Sequence, residues 1–194
     1  YIESPITFKK LGRDAKKMAY LFDCQLAHAG FAVDSVSIKD ETAVHAAHAL
    51  VFAFITTDAA VDPALLQSAL SHSVGVSFNC LPVDGDMSTN DTVLLMASGL
   101  AGNGLIKDGT AEAEAFKAAL QGVCVYLAKR VVRGGEGATR LIEVRVEGAA
   151  SEKDARLAAR AVASSSLVKS AIHGADPNWG RILAAAGRSG AEVD

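Results

Sequence analysis

Leu50-Val51-Phe52-Ala53-Phe54-Ile55-Thr56-Thr57 is an almost wholly apolar run that carries two aromatics and ends in two hydroxyls. A short apolar run of this kind, without polar alternation, predicts a strand buried on both faces in the middle of a layered structure. Downstream, Asp62-Pro63 opens a short helix through Leu70, since proline suits the first helical turn. Val83 to Asn90 is rich in turn formers, and Thr92 to Ala97 is apolar again. Upstream, Asp14 to Phe31 places Ala15, Met18, Ala19, Phe22 and Leu26 on one helical face, and Phe31 to Ile38 alternates like a strand. The expected fold class is an α/β (α+β) layered sandwich with mixed sheets and this strand at its centre. No linker rich in Pro, Gly and Ser divides the chain, so residues 1–194 are expected to form a single domain.

The C-terminal half repeats the alternation of helix and strand. Between Thr110 and Arg133, Phe116, Leu120, Val123, Leu127 and Val131 make one stripe at helical spacing. Gly134-Gly135 ends that helix, where a left-handed cap is cheap for glycine. Leu141 to Glu147 alternates Ile142, Val144 and Val146 with Glu143, Arg145 and Glu147, which predicts a half-buried strand. Ser151 and Asp154 form a capping box with the shorter acid, ahead of a helix that turns Ala155, Ala158, Ala159 and Val162 inward against a sheet.

The composition excludes several classes. Half of the 194 residues are hydrophobic, a fifth are charged, and the formal net charge is −3 with Lys and Arg scattered. A binder of nucleic acid or of a membrane surface needs a concentrated basic face, so neither partner is expected. The longest apolar stretch, Ala49 to Ile55, is far short of the roughly 20 residues of a membrane span. Three cysteines, Cys24, Cys80 and Cys124, make no even-numbered framework and no CxxC. The five histidines, at 28, 45, 48, 72 and 173, lack the spacing of a ligand set, so no metal site is expected. Gly102-Asn103-Gly104 reads as a turn, and no dinucleotide or phosphate-loop fingerprint occurs.

Four clusters are too polar and too glycine-rich for packing alone. They are Phe54-Ile55-Thr56-Thr57-Asp58-Ala59, the stretch from Val83 to Thr92, Gly134-Gly135-Glu136-Gly137-Ala138-Thr139-Arg140, and Asp176-Pro177-Asn178-Trp179-Gly180-Arg181-Ile182. Each alone reads as a turn, because Asp, Asn and Gly turn and cap the backbone.

Together and in this order, they resemble the ornithine acetyltransferase family, also called glutamate N-acetyltransferase. The resemblance rests on AFITTDA, the DGDxSTNDTVLL pattern, GEGATR, VRVEGA, SLVKSA and DPNWGRILAA, and covers residues 50–190 as a core like the family's β chain, with 1–49 matching weakly. It implies a fold of the N-terminal-threonine acyltransferase type. It also implies an enzyme that moves an acetyl group from N-acetylornithine, or from acetyl-CoA as alternative donor, to glutamate in arginine biosynthesis. No cofactor is implied. The setting would be cytoplasmic, or the mitochondrial matrix in a eukaryote, and the assembly a heterotetramer or the pairing of this chain with itself or with a complementary chain.

The residues carried over are few. Glu136 resembles the family's substrate-contacting glutamate, whose carboxylate receives a substrate ammonium by charge-assisted hydrogen bonds. Lys39 falls without a gap on the substrate-binding lysine. Asn90 and Asp91 line the same cleft or, alternatively, cap a turn. Asp176 and Asn178 are expected to cap a helix beginning at Pro177, with Trp179 as its buried anchor and Arg181 paired to a buried carboxylate. Leu50 stands where the nucleophilic threonine belongs, and leucine has no atom that attacks a carbonyl. Lys39-Asp40-Glu41-Thr42-Ala43 replaces the family's KGSGM, and no counterpart of the oxyanion segment STG lies in residues 1–49. The alternatives are therefore a non-catalytic relative that binds an amino acid or a partner, an incomplete fragment, or a hydrolase of the related aminopeptidase type.

Overall fold

The computed structural model describes residues 52–82, 91–135 and 137–192. The expected helix over Asp14–Phe31 and strand over Phe31–Ile38 lie outside them, as do Lys39, Leu50, Asn90 and Glu136. The described chain carries β1 (Phe52–Thr57), α1 (Pro63–Gly75), a 3-10 turn (Phe78–Cys80) and β2 (Thr92–Ala97). It continues with α2 (Ala111–Arg133), α3 (Glu152–Ser164), α4 (Ser166–His173) and α5 (Trp179–Gly187). Its contacts gather into two compact units, divided near residues 80–87 and again after Gly134.

The first unit is a β–α–β crossover closed by the long helix α2. The strands β1 and β2 pair in parallel from Phe52↔Thr92 to Thr57↔Ala97. A parallel pair needs a long connection, and α1 supplies it. Asp62 caps α1, its carboxylate accepting from the backbone N–H groups of Ala64 and Leu65 at 3.0 and 3.2 Å, with Pro63 in the first turn. The helix runs on to Gly75, past the expected end at Leu70. Thr110 caps α2, accepting from Ala113 N at 3.1 Å. Phe116, Leu120 and Val123 of the expected stripe are buried against Ile55 and Leu65. Gly134 closes α2 in a right-handed conformation, φ −82°, rather than the expected left-handed one, and donates to Arg130 O at 3.0 Å.

Burial on β1 alternates. Ala53, Ile55 and Thr57 are buried, while Phe54 and Thr56 are half-buried beside Leu94 and Met96, which are 43% and 39% exposed. The strand expected to be buried on both faces is therefore fully buried on one, the face that shares a core with α1 and α2.

The second unit is helical. Ser151 caps α3 as expected, accepting from Asp154 N at 3.1 Å and donating to the Asp154 carboxylate. Ser165 takes extended backbone angles, ends α3 and caps α4 by accepting from Val168 N at 3.3 Å. Val162, Val168 and Ala185 form the small core, with Val144 and Ile172 packed on it. The inward face of α3 meets α5, a helix, where a sheet was expected. The expected strand over Leu141–Glu147 forms no ladder among the described residues. Its burial still alternates, with Ile142, Val144 and Val146 half-buried and the charged residues outward. Alternation records which face is covered, whereas a strand also needs a hydrogen-bonded neighbour.

Candidate functional site

The parallel register decides what can act together in the first unit. Position 52 lies opposite position 92, so the strand ends that lead back to Leu50 and to Asn90–Asp91 lie side by side. Asp91 itself is exposed at the entrance to β2. The cluster Thr56-Thr57-Asp58 lies at the other end of β1. At roughly 3.3 Å per residue, five steps put Thr57 about 17 Å from Phe52. Neither threonine hydroxyl can stand in for a nucleophile at position 50.

That far end is fastened as structure. Thr57 is buried and its hydroxyl accepts from Ala59 N at 3.2 Å. Ser98 N donates to Thr57 O and Ala101 N to Asp58 O, each at 2.9 Å. Asn103 extends the fastening over a long range: its Oδ1 accepts from Ala60 N at 2.9 Å and its Nδ2 donates to Ala60 O at 3.2 Å. Sequence reasoning assigned Asn103 to a turn, and Gly102 does take φ +73° there. Nothing local in Gly102-Asn103-Gly104 signals the partner 43 residues away.

In the second unit the GEGATR cluster is anchored on the C-terminal end of α4. Ala138 N donates to Gly135 O at 3.0 Å, closing a tight turn in which Gly137 has φ +70°. A side chain would be strained there, so glycine is required. The Arg140 guanidinium donates to Ile172 O at 2.7 Å, and Thr139 Oγ1 lies 3.4 Å from His173 Nδ1. Glu136, the expected substrate-binding residue, lies outside the described residues.

The cluster from Asp176 to Ile182 is largely a capping device. Asn178 caps α5, its Oδ1 accepting from Arg181 N at 3.2 Å and its Nδ2 donating to the Asp176 carboxylate at 3.0 Å. The helix begins at Trp179 rather than Pro177. Two expectations are corrected here. Trp179 is 72% exposed and anchors nothing in the core, because α5 turns Ala185 inward instead. Among the described residues Arg181 pairs no buried carboxylate; it donates to the Leu167 carbonyl at 3.0 Å. Among the described residues no group of three or more His, Cys, Asp or Glu gathers as a metal would require. Burial pushes the Cys124 thiol up to about 11, which keeps it protonated and unreactive.

The elements and the polar strand ends define an α/β protein whose chemistry would be built on loops, with no metal centre among the described residues. The family model for the ArgJ family matches residues 14–194. The chain belongs to the ArgJ family. It is 56% identical over 156 residues to the arginine biosynthesis bifunctional protein ArgJ of Symbiobacterium thermophilum, which covers 80% of this chain and 39% of that protein. The Dehalococcoides mccartyi protein of the same name is 54% identical over 151 residues, 78% of this chain and 37% of its own length. A crystal structure of the Bacillus halodurans arginine biosynthesis bifunctional protein superposes with a TM-score of 0.70 at 50% identity, covering 75% of this chain and 67% of that one. The chain thus spans about two fifths of the length of these curated relatives, and its fold is of the α/β class expected from the sequence.

Proposed function

We propose that this chain is the amino-acid-binding core of a glutamate N-acetyltransferase of arginine biosynthesis, taking the acetyl group from N-acetylornithine, or from acetyl-CoA, and giving it to glutamate. The observation that carries the reading is the GEGATR segment, which is tied to α4 through Arg140 and whose sequence has a glutamate at 136. In this reading the Glu136 carboxylate receives the substrate ammonium, Lys39 takes a substrate carboxylate, and Asn90 and Asp91 add polar contacts to the substrate. The partners are small amino acids, with either self-association or a complementary chain completing the assembly. No helix among the described residues is long and apolar enough to cross a membrane, and the proposed setting is the cytoplasm, or the mitochondrial matrix in a eukaryote.

Leu50 favours a second reading, in which the chain binds the amino acid without turning it over. Glu136→Gln keeps the shape and removes the charge. Calorimetric titration with ornithine and glutamate is expected to show affinity falling roughly 30- to several thousand-fold, as for truncating one side of a desolvated charge pair. Equal affinity in both proteins removes Glu136 from the site. Incubation with N-acetylornithine followed by mass measurement separates the two readings: an acetylated chain supports transfer, and an unchanged mass with ornithine still bound supports binding alone.

A further inference from the structure

We propose that Arg140 is a positioning residue for the amino-acid site: bonded to the Ile172 carbonyl at the end of α4, it steadies the segment that follows Glu136 and so sets how well that carboxylate meets a substrate ammonium. The inference rests on the reading of Glu136 given above. Two consecutive residues of the segment meet two consecutive residues of the helix. The Arg140 guanidinium donates from Nη1 to Ile172 O at 2.7 Å, and Thr139 Oγ1 lies 3.4 Å from His173 Nδ1. A step back along the chain, Ala138 N donates to Gly135 O at 3.0 Å and Gly137 takes φ +70°. Residues 137–140 are therefore tied by a turn on one side and by α4 on the other. Glu136 directly precedes them in the sequence.

The carbonyl that Arg140 uses is itself held. Asp176 N donates to Ala171 O at 2.8 Å and Ala175 N to Ile172 O at 3.1 Å, the two reverse bonds of a Schellman cap. The left-handed residue of that cap is Ala175, φ 55°, where glycine is the usual occupant. A side chain is unfavourable in that region, and such a residue persists where its surroundings fix it. Ile172 O thus accepts from the cap backbone and from Arg140 at once. Carbonyls at a helix C-terminus carry partial negative charge, so a guanidinium suits that position better than a neutral donor. Near the start of α4 the Arg181 guanidinium donates to Leu167 O at 3.0 Å, so the short helix that receives Arg140 is secured toward both ends. Arg140 itself is exposed. Its truncation removes an anchor and leaves the small core of Val162, Val168 and Ala185 in place.

The test is a set of calorimetric titrations of the full chain with ornithine, each beside a melting curve. Arg140→Met keeps most of the side-chain length and removes its donors. It is expected to weaken ornithine at least about tenfold without moving the melting temperature, because a small misplacement of a binding group is costly. Arg140→Lys can still supply the bond that Ile172 O takes, and is expected to regain most of the affinity. Positioning through Glu136 has a signature that a merely structural role lacks: in a chain already carrying Glu136→Gln, Arg140→Met is expected to cost nothing further. Without ligand, amide exchange at Ala138, whose N–H closes the turn, is expected to quicken in Arg140→Met. Full affinity in Arg140→Met, no recovery with lysine, losses that add across the two substitutions, or unchanged exchange would overturn the proposal while Glu136→Gln still weakens binding. A melting temperature that falls with Arg140→Met would overturn it too, by making Arg140 a stabilising residue. A wild type that binds no ornithine, or a Glu136→Gln chain that binds it equally, would instead overturn the reading of the site, and the proposal with it.

Discussion

The first unit buries Phe116, Ile55, Leu65, Leu120 and Val123 almost completely, while the second, among its described residues, gathers Val162, Val168 and Ala185 into a smaller core and leaves Trp179 and Leu183 outside. Both are rich in helix, yet they differ in where the large side chains go. In the first, a parallel strand pair shares one apolar core with α1 and the 23-residue α2. In the second, three shorter helices meet through alanines and valines, so less apolar area leaves water. The difference teaches that the first unit supplies its own packing, whereas the second is organised mainly by caps and side-chain-to-carbonyl bonds.

Phe116→Ala tests the contrast most strongly. Removing a fully buried phenylalanine is expected to cost about 3–5 kcal/mol, measured by denaturant unfolding followed by circular dichroism. A loss below about 1 kcal/mol would mean that the first unit is not built around α2. Val168→Ala in the second unit deletes two methyl groups from a smaller cluster, and about 2 kcal/mol is expected. Hydrogen exchange should localise that loss to α4 and α5. Equal loosening of α2 would show that the units do not respond separately.

Ser151→Ala removes the cap of α3, with an expected cost of about 1 kcal/mol. Its pH dependence sharpens the point. The Ser151 hydroxyl holds the Asp154 carboxyl below the ordinary carboxylate range. A folded-state value below the unfolded one adds stability that is present above the unfolded value and disappears as pH falls through the folded one. The gap between wild type and Ser151→Ala should therefore be open at neutral pH and narrow below about pH 4. A gap that stays constant down to pH 2 would assign the whole effect to the backbone cap.

The smallest effect is on reactivity, not stability. Cys80 is exposed and Cys124 buried, with the thiol of the latter raised to about 11. A thiol reagent at pH 8 should modify Cys80 in the folded chain and reach Cys124 only on unfolding, as read by peptide mass mapping. Rapid labelling of Cys124 would mean that the first unit opens readily despite its fuller packing.

Much of this was legible in the sequence. The cap at Ser151, the helix start at Asp62-Pro63, the stripe through Phe116, Leu120 and Val123, the strand at β1 and the apolar run of β2 were readable because each depends on residues within a turn or a short run. The family motifs, in their order, were equally readable, and Leu50 was conspicuous because a missing hydroxyl is a chemical fact needing no coordinates. Asn103 was not legible as a clamp, since its partner Ala60 is remote in the chain. Arg140 gave no sign that it would reach the Ile172 carbonyl on α4.

By itself, the sequence determined the helix starts, the alternating faces and the family, since capping, periodicity and motif order are written in near neighbours. Only the tertiary structure decided that β1 and β2 run parallel, with Phe52 opposite Thr92 and Thr57 opposite Ala97. It also decided that Arg181 meets a carbonyl and that Trp179 faces water. The physical reason is range. A hydrogen-bond cap is satisfied within four residues, whereas pairing and burial depend on which distant segment arrives alongside. For Leu141–Glu147 the pattern alone can say which face is covered but not which strand lies beside it.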